Sequence, residues 1–218
     1  MLATPPLFMP AQDKLGQPIL YLVRHGTVNN DTKGLIRGTQ NTPLNDQGKR
    51  EADEVADFFA DIPISGVYSD DLDRTYHTAI RIAHAKDLEV VQDIALRSWD
   101  VGADLEGRSI DANAAEIAEL KLQPDTVPVG GQSWRSFETK MIAAFNRYVA
   151  KALSKPNPLV LVLHGSNFQV IWDCIGEQEK SPDYDATPLE PSGIAAIYAT
   201  RNGYSARIMR LSKEMADA

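Results

Sequence analysis

Ile19-Leu20-Tyr21-Leu22-Val23-Arg24-His25-Gly26 is the stretch from which the architecture can be read. Its first five residues are apolar without alternation and are bounded by Pro18 and by charge, the pattern of a strand buried on both faces. The pattern returns at Pro158-Leu159-Val160-Leu161-Val162-Leu163, and this run also hands over to a histidine and a glycine, His164-Gly165. Two such strands predict the centre of an open α/β sheet, whose ligand crevice lies beyond the carboxyl ends of its strands.

Helical periodicity fills the space between them. Ala52, Val55, Ala56 and Phe59 recur at i, i+3, i+4 and i+7 behind Asn45-Asp46, which predicts an amphipathic helix packed on a sheet. A short strand is expected over Ser65 to Ser69, a helix over Thr75 to Ala85 and a short strand over Glu89 to Gln92. A helix over Asp111 to Leu120 precedes a Pro- and Gly-containing loop, and a long helix runs from Ser133 to Leu153. After the second buried strand come an apolar helix, Asn167 to Ile175, and two strands, Gly193 to Thr200 and Tyr204 to Leu211. These flank an Arg201-Asn202-Gly203 turn. The alternation predicts an α/β three-layer sandwich: a mostly parallel central sheet with an antiparallel edge strand and helices on both faces. Residues 1–18, rich in proline and polar residues, read as an N-terminal arm, and 19–218 as one domain.

With 218 residues, one core is the default. Apolar residues at 43% and charged residues at 24% argue against disordered and low-complexity classes. A net charge of −8 with no local basic patch argues against a nucleic-acid partner. The segment Met1 to Gln12 lacks a basic start and carries three prolines, a poor secretory signal. The longest clean apolar run, Leu159 to Leu163, falls far short of the ~20 residues needed to cross a bilayer. Cys174, the single cysteine, cannot form an internal disulfide, which fits a reducing compartment. A soluble, cytoplasmic protein is expected, with no membrane partner.

Arg24-His25-Gly26 at one strand end, His164-Gly165 at another and Arg74 after a third bring two arginines and two histidines to one crevice. That is a phosphate pocket, because the planar guanidinium fork can donate two parallel hydrogen bonds to phosphate oxygens. The adjacent charges of Arg24 and Arg74 disfavour imidazolium, lowering the pKa of His25. They would also neutralise the oxygens of a transferring phosphoryl group, so no metal or cofactor is required.

These residues resemble the histidine phosphatase superfamily, which includes cofactor-dependent phosphoglycerate mutases and many phosphatases. The resemblance rests on Arg24-His25-Gly26-Thr27 with Asn30, Arg37-Gly38, Thr42-Pro43-Leu44 and Gly48. It continues through Ser69-Asp70, Leu72, Arg74, Thr78-Ala79, Leu96-Arg97, Gly102, Glu106-Gly107, Pro128 to Ser133, and His164-Gly165. It implies that His25 is the nucleophile and forms a transient phosphohistidine, that Arg24, Arg74 and His164 hold the phosphoryl oxygens, and that Asn30, Arg37 and Gly165 bind substrate at the pocket.

The sequence departs from the family pattern in three places. Ser98 stands where a Leu-x-Glu segment would supply a proton-donating Glu, and a serine hydroxyl cannot give a proton at neutral pH. Asp100 is the candidate donor, with Asp104 and Glu106 behind it. Gln132 replaces a frequent Glu, and the segment from Thr27 to Asn30 is one residue shorter than the common form. Hydrolysis of a small phosphorylated substrate is the expected activity. The loss of the Glu and the short segment between Gly107 and Pro128 disfavour mutase-type transfer, and retention of His25 and His164 disfavours a non-catalytic phosphate-binding protein.

Overall fold

The structure, a computed structural model, describes residues 14–176, 189–201 and 203–209. The first thirteen residues of the expected arm, Asn202 of the expected turn, and Arg210 and Leu211 of the last expected strand lie outside the described residues. The end of the arm docks on the domain: Lys14 Nζ donates to the Lys155 carbonyl at 2.7 Å, and Gly16 N–H donates to that of Ala199 at 3.0 Å.

Six strands form one sheet: β1 (Pro18–Arg24), β2 (Gly66–Ser69), β3 (Val90–Gln92), β4 (Leu159–Leu163), β5 (Ile194–Thr200) and β6 (Gly203–Met209). Their order is β3-β2-β4-β1-β5-β6. The first four pair in parallel, with Leu22 of β1 opposite Leu161 of β4, whereas β5 joins β1 antiparallel and β6 joins β5 antiparallel. The two apolar runs are therefore central neighbours, and every residue of β4 is buried.

The pleat divides their side chains between two cores. Leu20, Leu22, Leu159, Leu161 and Leu163 face one way, with Phe137, Met141 and Phe145 of α5 (Trp134–Leu153) and Phe168 and Ile171 of α6 (Gly165–Gly176). Tyr21, Val23, Val160 and Val162 face the other, with Val55 and Phe59 of α2 (Asp46–Phe59) and Ala79 and Ile82 of α3 (Asp73–His84). Each fully buried aliphatic side chain contributes roughly 1.5–3 kcal/mol, which anchors both helical layers to the same pair of strands. Caps set the helix starts: the Asn45 side chain accepts from Gly48 N–H at 2.8 Å, and that of Ser133 accepts from Ser136 N–H at 3.3 Å.

Local differences from the expected elements lie at boundaries and in short pieces. The expected helix over Asp111 to Leu120 divides into a 3-10 turn, Asp111–Asn113, and α4 (Ala114–Leu122), which buries only Leu120. One turn of helix, α1 (Asn29–Thr32), follows the first strand-end loop, and its four residues are too few to show a periodicity. No described helix is long and apolar enough to cross a membrane.

Candidate active site

β1 delivers His25 into the interior, fully buried, with its backbone N–H donating to the Leu163 carbonyl of β4 at 3.1 Å. Its Nδ1 lies 2.8 Å from the Gly26 carbonyl. A carbonyl only accepts, so the ring proton sits on Nδ1 and Nε2 carries the lone pair. This Nε2 is buried and has no hydrogen-bond partner, and among the described residues the same holds for only one other side-chain atom, the Nε of adjacent Arg24. Buried polar atoms are almost always paired. A free lone pair and a free N–H on consecutive residues therefore mark where ligand atoms complete the bonding.

Three guanidinium groups surround this ring. Arg24 donates through NH1 to the Leu189 carbonyl at 2.5 Å, and its NH2 lies 3.9 Å from Asp31 Oδ1. Arg37 is bonded to the same oxygen of Asp31. Arg74, at 1% exposure, commits Nε to His164 Nδ1 at 3.3 Å, NH1 to the Gln40 carbonyl at 2.5 Å and NH2 to the Gly38 carbonyl at 3.2 Å. Burial first, and then the charges of Arg37, His164, Arg74 and Arg24, hold the pKa of His25 well below 6.5. Burial and the charge of Arg37 pull Arg74 down to about 10, still cationic at neutrality. The pocket therefore holds a neutral imidazole among guanidinium ions.

His164 follows β4 and leads into α6, where its backbone N–H donates to Asn167 Oδ1 at 2.9 Å. Its Nε2 lies 2.6 Å from Oδ2 of Asp70, the residue after β2, and its ring centroid is 5.2 Å from that of His25. The carboxylate accepts and Arg74 Nε donates, so neutral His164 carries its proton on Nε2 and a lone pair on Nδ1. Burial, opposed by Asp70 and reinforced by Arg74 and Arg37, lowers its pKa to about 4. Asp70 is fully buried and also accepts from Leu72 N–H at 3.1 Å and from the Thr75 hydroxyl.

His25, His164, Arg24, Arg37 and Arg74 thus meet at the ends of β1, β2 and β4. Gly165 lies against Arg24, where an added Cβ would stand 3.8 Å from the guanidinium carbon. Asn30, on α1, donates to Gln40 Oε1 at 3.5 Å, beside the carbonyl that Arg74 holds. Asp100 stands apart: its Oδ1 accepts from Gly102 N–H at 3.1 Å, capping a turn, and no hydrogen bond or ion pair among the described residues joins its side chain to His25, His164 or the three arginines. Ser98 Oγ donates to the Gly38 carbonyl at 2.5 Å, and Glu106 Oε1 accepts from Thr39 N–H at 2.6 Å. The two hold opposite sides of the Gly38–Thr39 peptide, and the φ of +52° at Gly38 is one that a side chain would strain.

Asp31 and Asp70 are the contributors that reading the sequence did not assign. Asp70 appeared in the motif without a role, and Asp31 sits one residue beyond Asn30. Among the described residues no group of three or more His, Cys, Asp or Glu side chains is arranged to hold a metal ion.

The sheet of this α/β protein gathers two histidines and three arginines at its carboxyl end, a set of groups suited to phosphoryl oxygens. Residues 20–209 match the histidine phosphatase superfamily (branch 1), and the chain belongs to that family. It is 36% identical over 151 residues to a Proteus mirabilis protein named "Probable phosphoglycerate mutase GpmB", covering 67% of this chain and 69% of that one. A phosphoglycerate mutase from Bacillus anthracis superposes with a TM-score of 0.72 at 19% identity, over 87% of this chain and 91% of that one. A protein described as "Mycobacterial hydrolase 1" does so at 0.68 and 19%, over 88% and 96%. At these identities the two structures speak for the fold alone.

Proposed function

We propose that the chain hydrolyses phosphomonoesters. Nε2 of His25 attacks the phosphorus, the P–O bond to the alcohol breaks, and the alcohol leaves with a proton. Water then cleaves the P–N bond of the phosphohistidine, releasing inorganic phosphate and restoring neutral His25. The observation that carries this reading is the buried, unpartnered Nε2, kept as a lone pair by the Nδ1 bond to Gly26. Arg24, Arg74 and His164 hold the phosphoryl oxygens, with Arg37, Asn30 and Gly165 around them. Asp100 is the proposed donor to the leaving oxygen: Oδ1 holds the turn, which leaves Oδ2 available for that role. A small phosphorylated substrate and a cytoplasmic setting belong to this reading.

The name of the Proteus relative favours a second reading, in which the phosphohistidine passes its group to another hydroxyl. Ser98 in place of the proton-donating Glu favours hydrolysis. Turnover of an aryl phosphate and of 3-phosphoglycerate by the purified chain separates the two. Phosphate release from both, with acid-labile label trapped on His25 and no turnover in His25→Ala, supports the proposal. Formation of 2-phosphoglycerate without phosphate release supports mutase action, and full activity in His25→Ala refutes both.

A further inference from the structure

The two pocket histidines differ in what holds their far nitrogen. His25 has a carbonyl there, which fixes the tautomer but adds no charge, whereas His164 has the buried carboxylate of Asp70. His164 Nδ1, the nitrogen on the Arg74 side, meets Arg74 Nε only at 3.3 Å, the long end for such a bond. We propose that Asp70 is a positioning residue that makes His164 the proton acceptor of the pocket. When a tetrahedral dianion binds, His164 Nδ1 takes one proton from solvent and turns from an acceptor of Arg74 into a donor to the ligand, Arg74 Nε–H turns to a ligand oxygen in its place, and the His164 Nε2–H stays on Asp70.

Charge balance supports this. With both imidazoles neutral, three guanidinium groups face Asp31 and Asp70, leaving one net positive charge against a dianion. Glu51 and Glu190 act on Arg24, and Glu106 acts on Arg74, each less than Asp31 does, and all deepen the deficit. For the three guanidinium groups, Asp31, Asp70 and the dianion alone, one added proton restores neutrality. His25 cannot take it, since its Nε2 must remain a lone pair and no carboxylate holds its ring. A lone pair on His164 Nδ1 facing a phosphoryl oxygen would be repulsive, and protonation converts that contact to a charge-assisted bond. The groups acting on His164 are Asp70 from the end of β2, Arg74 from α3, His25 from the end of β1 and Arg37 from the loop before α2. Arg97 and Lys140 also feel the charge of Asp70.

The inference rests on the phosphoryl-pocket reading and is tested with tungstate, a tetrahedral dianion that carries no proton near neutrality. Titration calorimetry at pH 7.5 in two buffers of different ionisation enthalpy should show uptake of close to one proton per bound tungstate. Asp70→Asn should abolish the uptake and weaken binding at least tenfold. Should that variant fail to fold, ¹⁵N shifts of His164 in the unmodified protein decide: an Nε2–H tautomer when free, and protonation of both ring nitrogens with tungstate. Binding without proton uptake, or a neutral His164 in the complex, overturns this inference and leaves the pocket standing. Failure to bind tungstate removes the pocket and the inference together.

Discussion

The guanidinium of Arg37 is bonded to the carboxylate of Asp31, and that carboxylate cannot swing clear, because its other oxygen accepts from Val28 N–H at 2.9 Å. The same Oδ1 lies 3.9 Å from Arg24. An internal anion is therefore fixed among the cations that would receive a phosphoryl group. Asp31→Asn keeps an oxygen for Val28 and removes the charge. A unit charge at such distances is worth about 4 kcal/mol at an effective dielectric of 20, and solvent screening of these partly exposed side chains leaves about 1 kcal/mol. The variant should tighten tungstate inhibition roughly fivefold, more at low salt. Weaker inhibition would mean that Asp31 acts chiefly by orienting Arg37.

Asp100→Asn keeps the acceptor for the Gly102 turn, so folding should be spared. If Asp100 Oδ2 delivers the leaving-group proton, alkyl phosphates should slow by roughly 10²–10⁴-fold, while aryl phosphates, whose oxygen departs unprotonated, keep their rate. Parallel kinetics on one ester of each kind make the comparison. Equal slowing of both would make Asp100 a positioning residue, and no slowing would pass the role to Asp104 or Glu106.

Two buried neutral histidines make stability depend on pH. The folded pKa of His164 is about 4 and that of His25 is also well below 6.5, whereas the unfolded chain protonates both near 6.5. Below that value the unfolded state binds more protons, so stability falls as pH drops from 6.5 towards 4. Thermal melts across this window should show a steadily declining Tm, and replacing both histidines with Gln should flatten the decline.

Three arginines supply the positive charge of the pocket, so catalysis should not require a divalent ion. Activity on an aryl phosphate should be unchanged after exhaustive chelation. Loss with chelator and recovery with a single divalent ion would contradict the proposed chemistry.

Much of this site could be read from the chain because strand ends carry their own signature. The uninterrupted runs before Arg24-His25 and His164 announce buried strands, and the polar residues that follow must then emerge at the sheet's carboxyl edge. Asp70 was harder to read. Its partnership with His164 depends on β2 lying beside β4, and the order of strands is settled by packing between distant segments. Arg74 was assigned to the pocket, against the alternative of a surface ion pair with Asp70 or Asp71; Asp71 binds Arg97 instead, and the Gly38 and Gln40 carbonyls enclose Arg74. Asp31 lies on a single turn of helix, too short to reveal which way its side chains point.

Gly26 and Gly48 let the loop after His25 and the first turn of α2 touch backbone to backbone. A Cβ on Gly26 would come within 2.5 Å of the Gly48 carbonyl oxygen, and one on Gly48 would run into the Thr27 backbone. Asn45 N–H donates to the Thr27 carbonyl at 3.1 Å, and Glu51 of α2 accepts from Thr27 N–H at 2.7 Å, closing the same seam. The His25 imidazole is thus aimed by a helix that contributes no atom to the proposed reaction. In a randomised library, position 48 should tolerate glycine alone and so mimic an active-site residue, although inactive variants there would report a displaced main chain rather than missing chemistry.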